Sequence, residues 1–299
     1  MVQLRRNHSS NRGLQTTFRM VVFIILLFLV LAGGYIYIKK NINLSFAPKP
    51  NAIDTAFDLG RTYLPTCDGI LIHHSKFSLC YDEKREVSSW VAYFLDRQSL
   101  NKPNFPRSGY FTPDPDVPTR SATHGDYSGS GYTRGHLVPV GDVSYDTLAM
   151  RESFYMSNIT PQTRGFNNGV WKELEENVRD WTYTCDGLYI MSGPIFSGHT
   201  KNIGKNEVSV PSAFYKVLLQ YNEKGSKGIG FIIPHEVSNQ PLQSYVVSID
   251  SVETITKIDF FNNLLPDDKE ESLESSYQLS KWKISDARFR LRVTKWNFE

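Results

Sequence analysis

Three cysteines in 299 residues set the first limit. Cys67, Cys80 and Cys185 allow at most one internal disulfide, and their spacing leaves open which pair forms it. The ligand spacing of a zinc ribbon is absent, as is a thioredoxin Cys-x-x-Cys. No Gly-x-Ser-x-Gly elbow stands between a strand and a helix, which argues against a serine hydrolase. No internal repeat is visible; Cys67-Asp68-Gly69 and Cys185-Asp186-Gly187 recur only as turn-like units. Acidic residues are missing altogether before Asp54, while seven Lys and Arg lie in that stretch. The remaining 26 basic residues face 31 acids, a balance of −5. The globular part is therefore not a basic domain, and any grip on nucleic acid must be local.

What is present is ample core material: 40% apolar residues, 13% of all residues aromatic. Met20 to Ile38 is a nearly unbroken apolar run, roughly 28 Å long as a helix and close to the thickness of a bilayer core. A cleaved signal peptide is the competing reading, but its apolar region is usually shorter and ends at a small-x-small site. Here Ala32-Gly33-Gly34 is followed by further apolar residues and Lys39-Lys40. Arg5, Arg6, Arg12 and Arg19 before the run orient its N-terminus to the cytoplasm. The expected organisation is a basic tail (1–19), a transmembrane anchor (20–38), a linker (39–54), a folded domain (55–270) and a C-terminal tail (271–299).

Within the domain, residues 70–74, 77–81 and 87–94 read as strands, as do 188–191, 214–219 and 229–233. His73-His74 invites a metal reading, but neighbours on a strand point to opposite faces, so both are expected to be structural. Residues 101–130 have the Pro, Gly, Asp and Ser content of a long ordered loop, a place where function often lies. Asp142 to Met150 reads as a short helix. A longer one opens near Asn167, with an apolar stripe at Trp171, Leu174, Val178 and Trp181. Val252 to Phe261 is expected to be the last helix. The tail Phe289 to Trp296 alternates apolar with basic residues, as a docking strand would.

The stretch Gly131-Tyr132-Thr133-Arg134-Gly135-His136-Leu137 organises the chain. On an extended backbone Arg134 and His136 share a face. A guanidinium beside a neutral imidazole suits work on a phosphate, one group holding charge and the other taking a proton. Two further segments follow at fixed separations: Phe154-Tyr155-Met156-Ser157-Asn158-Ile159-Thr160-Pro161-Gln162 and Asn167-Asn168-Gly169-Val170-Trp171-Lys172-Glu173-Leu174-Glu175. Together the three resemble, in order and spacing, the DNA/RNA non-specific endonuclease family. This is the ββα-metal group that includes endonuclease G-like and secreted bacterial nucleases, and the likeness runs from about Phe77 to about Asp259.

The resemblance implies an α+β fold: a mixed, largely antiparallel sheet flanked by helices and carrying a ββα-metal motif. It implies a hydrolase that cuts DNA and RNA with little sequence preference and needs magnesium, for which manganese can substitute. His136 would be the general base and Asn167 the sole protein ligand of the ion. Glu175 would hold water bound to the ion, Asn158 would position the site, and Arg134, Arg179 and Arg107 would contact phosphate. An amide ligand brings no negative charge, leaving the ion's charge for the phosphate. One position departs from the family, which usually has Asp where this chain has Thr133. A weakened module that binds nucleic acid without turnover is the alternative this substitution raises. The apolar run and its flanking charges point to a single-pass membrane protein with its domain outside the cytoplasm, in a bacterial inner membrane ahead of a mitochondrial one. Its partners would be DNA, RNA and the membrane, and a homodimer is compatible with the family.

Overall fold

The computed structural model describes residues 19–20, 62–107, 109–198 and 200–299. Apart from Met20, the expected anchor at 20–38 lies outside these, and no helix among the described residues is long and apolar enough to cross a membrane. Thr55–Glu299 forms one compact unit.

Seven strands make the central sheet, in the order β1-β2-β3-β6-β9-β10-β11. They are β1 (Ile70–His73), β2 (Ser78–Asp82), β3 (Val87–Asp96), β6 (Gly187–Ile195), β9 (Ala213–Asn222), β10 (Gly225–Pro234) and β11 (Val246–Val247). Every neighbouring pair is antiparallel. The expected α+β class with a largely antiparallel sheet matches this arrangement. Two small ribbons stand apart, β4 (Thr133–His136) with β5 (Ile159–Gln162), and β7 (Asn202–Ile203) with β8 (Val208–Ser209). Helices α1 (Arg97–Asn101), α2 (Val140–Val143), α3 (Thr147–Glu152) and α4 (Arg164–Phe166) are short and precede the 14-residue α5 (Lys172–Cys185). Then come α6 (Ile249–Thr256), α7 (Asp267–Glu274) and α8 (Asp286–Thr294).

Both faces of the sheet are covered, which explains its long apolar strands. Side chains alternate across a strand, so β3 sends Val91, Tyr93 and Leu95 into one core, and Trp90 and Ala92 into another. On β9, Phe214 and Leu218 join the first, Tyr215, Val217 and Leu219 the second. The first core is closed by the stripe read from sequence, Leu174, Val178 and Trp181 of α5 with Trp171 just before it. The second is closed by Ile249 and Val252 of α6 and by Phe260, Phe261 and Leu265. The disulfide joins Cys67 to Cys80, leaving Cys185 free and buried.

Three expectations need correction. The helix at 142–150 is broken in two, because Asp146 leaves helical geometry and its Oδ1 caps α3, accepting from Leu148 N (2.9 Å) and Ala149 N (3.0 Å). The helix expected over 252–261 is α6, ended by Lys257 in the left-handed conformation, and two helices follow it. The tail is helix α8 rather than a strand. Ser285 caps it and Asp286 sits in its first turn. Its arginines at 288 and 292, four apart on one helix face, meet acids of α5. Arg292 Nε donates to Glu173 Oε2 (2.5 Å) in full burial, while Arg288 pairs with Asp180.

Candidate active site

One ββα unit carries the motif residues. β4 pairs with β5 in the register Thr133↔Gln162, Arg134↔Pro161, Gly135↔Thr160 and His136↔Ile159. Gly135 is required here: a Cβ would stand 2.0 Å from the buried Gln162 side chain. After β5, α4 runs into a π-turn over Asn167–Trp171 and then into α5. Gly169 departs from helical geometry inside that turn (φ −93°, ψ −112°), and its missing Cβ makes room for Asn297, whose Oδ1 would lie 2.5 Å away. The turn sets Asn167 at the head of α5 rather than within its regular ladder.

His136 leaves β4 against an aromatic wall. Its ring meets Phe154 edge-on at 5.1 Å and Phe111 at 5.6 Å. Nε2 is buried and has no hydrogen-bond partner among the described residues. Burial pushes the imidazole down to about 3, and the charge of Arg107 adds to the shift. At neutral pH the ring therefore holds a free lone pair. Arg107 lies over the Phe154 ring at 5.3 Å, and Arg134 over Phe111 at 5.6 Å. Arg134 Nη2 also donates to the His124 carbonyl (3.0 Å). The aromatic pair thus brings both arginines to the imidazole. Asn158 is fully buried and holds the turn after His136: its Oδ1 accepts from Val138 N (2.9 Å), and Nδ2 donates to Val138 O (3.1 Å) and Ser153 O (2.8 Å).

Thr133 and Asn167 are bonded to each other. The Thr133 hydroxyl donates its one hydrogen to Gln162 O (2.8 Å), so toward Asn167 it can only accept. The Asn167 Nδ2 fills that role at 3.1 Å, which turns Oδ1 away from the strand. Oδ1 has no hydrogen bond among the described residues. An amide oxygen of this kind is a hard, neutral donor that fits magnesium, and the carboxylate Glu175 follows two helical turns further on.

Glu175 stands over a buried charge cluster. Burial raises its carboxyl, and Lys216 and Arg179 pull it back toward the charged form. Lys216, in the middle of β9, is fully buried with Nζ 4.7 Å from the Trp171 ring and without a hydrogen-bond partner among the described residues. Burial lowers its ammonium, while Glu175 and Asp142 hold it charged. Arg179 does not form an ion pair with Glu175 as an i,i+4 neighbour. Its Nη1 donates to Asp142 Oδ1 (2.7 Å) and its Nη2 faces Glu176 (3.1 Å). Asp142 also accepts from the Tyr93 hydroxyl (2.7 Å).

A model of the family described as DNA/RNA non-specific endonuclease matches residues 59–267. The chain belongs to that family. It is 37% identical over 204 residues to the mitochondrial nuclease EXOG of Xenopus laevis, covering 62% of this chain and 57% of that relative. It is 32% identical over 203 residues to the mitochondrial endonuclease G of Homo sapiens, covering 63% and 68%. The chain thus spans a little over half the length of the EXOG relative. A crystal structure of the EndoG/EndoGI complex shares the fold with TM-score 0.62 and 32% identity, over 66% of this chain and 87% of that one.

Sequence reading within the family frame missed Phe111, Asp142, Tyr93 and Lys216. Lys216 had a signal, being the single charge within the apolar run 214–219. The others sit in a loop, a short helix and a strand whose neighbours only folding decides. The grouping His74, Asp114 and Asp116 has ligand-like composition, but each ring nitrogen faces a different carboxylate, Nε2 to Asp114 (3.1 Å) and Nδ1 to Asp116 (3.9 Å). That arrangement orders the loop rather than offering an imidazole ligand, and His73 likewise bonds Ser78 (2.9 Å).

Proposed function

We propose that the domain hydrolyses phosphodiester bonds of DNA and RNA with little sequence preference, using His136 as general base and Asn167 as the ligand of magnesium. The observation that carries this reading is the placement of His136: its Nε2 has no hydrogen-bond partner among the described residues, and its ring lies against Phe154 and Phe111, over which Arg107 and Arg134 sit. Such a group is ready to take a proton from water as it attacks phosphorus. Arg107 and Arg134 offer positive charge for the phosphate oxygens, and contacts to the backbone rather than to base edges give no sequence preference. Asn158 keeps the imidazole aimed by fixing the turn that follows it. Bound magnesium would supply a Lewis acid for the charge that builds on the phosphate, held through Asn167 with Glu175 behind it. Lys216 and Arg179 act on Glu175 from beneath, Arg179 with its guanidinium already engaged by Asp142 and Glu176.

The alternative of a weakened binding module rests on Thr133, whose bonds to Gln162 O and Asn167 Nδ2 favour the catalytic reading instead. A plasmid-nicking and RNA-digestion assay with the purified chain tests the proposal. Cleavage of both substrates in magnesium and its loss in EDTA are expected. Full activity in chelator, or none in magnesium and manganese, would overturn it.

The apolar run at 20–38 supports a membrane anchor with the domain outside the cytoplasm. Full-length protein is then expected to sediment with membranes and resist high salt. A mature N-terminus near Gly34 would show a cleaved signal instead.

A further inference from the structure

The other face of the sheet holds a second group of converging oxygens. Asp250 and Glu253, three apart on α6, share a helix face with each other, and Glu274 closes α7 opposite them. One carboxylate oxygen from each lies within 4.8 Å of the other two. Glu274 is 3% exposed, and its Oε1 has no hydrogen-bond partner among the described residues. A buried, unpartnered carboxylate is unfavourable unless a cation or a proton meets it. None of the three forms an ion pair with Lys or Arg among the described residues. The leading charges acting on Glu274 are Glu253, Glu270, Asp250 and Asp259, all of one sign. Burial first, then these neighbours, raise Glu274 to about 9 and Glu253 to about 7. Glu253 is also aimed: its Oε1 accepts from Phe260 N (2.7 Å), which leaves Oε2 for another partner.

We propose that Asp250, Glu253 and Glu274 form a structural divalent-cation site that takes calcium ahead of magnesium. Calcium accepts oxygen ligands at about 2.3–2.6 Å with flexible geometry, so three oxygens within 4.8 Å of one another need to close only slightly to share one ion. Magnesium demands near-octahedral ligands and gives up its waters reluctantly. The site ties α6, which packs on β9 and β10, to α7, which packs on β10. Glu274 lies beyond the family match, which ends at residue 267. It is also on the side of the sheet away from Asn167, whose π-turn closes the first core, whereas α6 closes the second.

The test is thermal melting of the full chain in calcium chloride, with calorimetric titration in two buffers of different ionisation enthalpy. Calcium is expected to raise Tm by about 5 °C or more at a hundredfold excess over its Kd, with Kd in roughly the 10⁻⁴–10⁻³ M range. Protons should be released on binding. Glu253→Gln combined with Glu274→Gln should abolish the shift while melting no lower than the parent without calcium. Asn167→Ala should keep the shift. If the double variant does not fold, Asp250→Asn serves, with an expected loss of about tenfold or more in calcium affinity. No shift at about 10 mM calcium, well above this range, would mean that protons alone neutralise the cluster, and would overturn the proposal. So would a shift that survives in the acid-cluster variants, or one lost in Asn167→Ala, since the ion would then sit on the other face.

Discussion

Thr133, at a position where the family usually has Asp, is bonded to both Gln162 and Asn167. Its hydrogen is committed to Gln162 O, so its lone pairs accept from Asn167 Nδ2 and set which end of that amide faces the strand. Thr133→Val removes that acceptor, and the amide is free to turn. Activity at limiting magnesium is expected to fall about 10–100-fold, with part of the loss recovered at high magnesium. Thr133→Asp, which also presents an acceptor, should retain more activity than Thr133→Val. Unchanged magnesium dependence in the Val variant would remove the positioning role. His136 carries the second residue-scale prediction. An imidazole read from sequence alone places the loss of activity at pH 6–7, near the value of a free ring. The structure moves it, because the folded ring sits near 3 and the unfolded one near 6.5. Between those values the unfolded chain binds more protons, so stability falls as pH drops through that window, while the native ring stays neutral. NMR of the His136 ring should show no titration from pH 8 to pH 5; a midpoint near 6.5 would refute its burial. The motif was legible in the sequence. The wall of Phe111 and Phe154 that enwraps it was not, because Phe111 comes from a loop with no periodicity.

At the scale of elements, the ββα unit leans on α8. Arg292 is fully buried with Nε on Glu173 Oε2, Nη1 on Ser238 O and Nη2 on Gln240 O, each at 2.5 Å. Removing one member of such a pair strands the other charge. Arg292→Met is expected to destabilise by about 3–5 kcal/mol, whereas Arg292→Met with Glu173→Leu should recover most of it. Urea unfolding of the three proteins decides; equal loss in single and double variants would show that the pair is not the source. The alternation from Phe289 to Trp296 pointed to a docking segment, and the segment does dock. Its secondary structure was misread because an alternating pattern of basic and apolar residues also places arginines four apart. Only the acids of α5 on the facing surface reveal which period matters. The end of α6 was similarly hidden, since Lys257 adopts a left-handed conformation that nothing in its residue type announces.

Over the whole molecule, the strands were the most legible part. Their apolar runs marked a sheet covered on both faces, and the alternation on β3 and β9 assigns each residue to its core. Lys216 broke that pattern and proved to lie beneath the site, under Glu175. The layout of α6 and α7 was less legible, for five of the eight residues of α7 are acidic and only Leu273 is apolar. The seating of α5, which carries candidate site residues, also has a temporal side. A ribosome delivers β4, β5 and α5 well before α8. In that interval Glu173 has no counter-charge, and Gly169 has no Asn297 behind it. A translation product that stops short of Ser285 would carry every candidate catalytic residue yet lack the brace that seats them. The late-arriving helix α8 therefore sets when the unit that carries those residues can close.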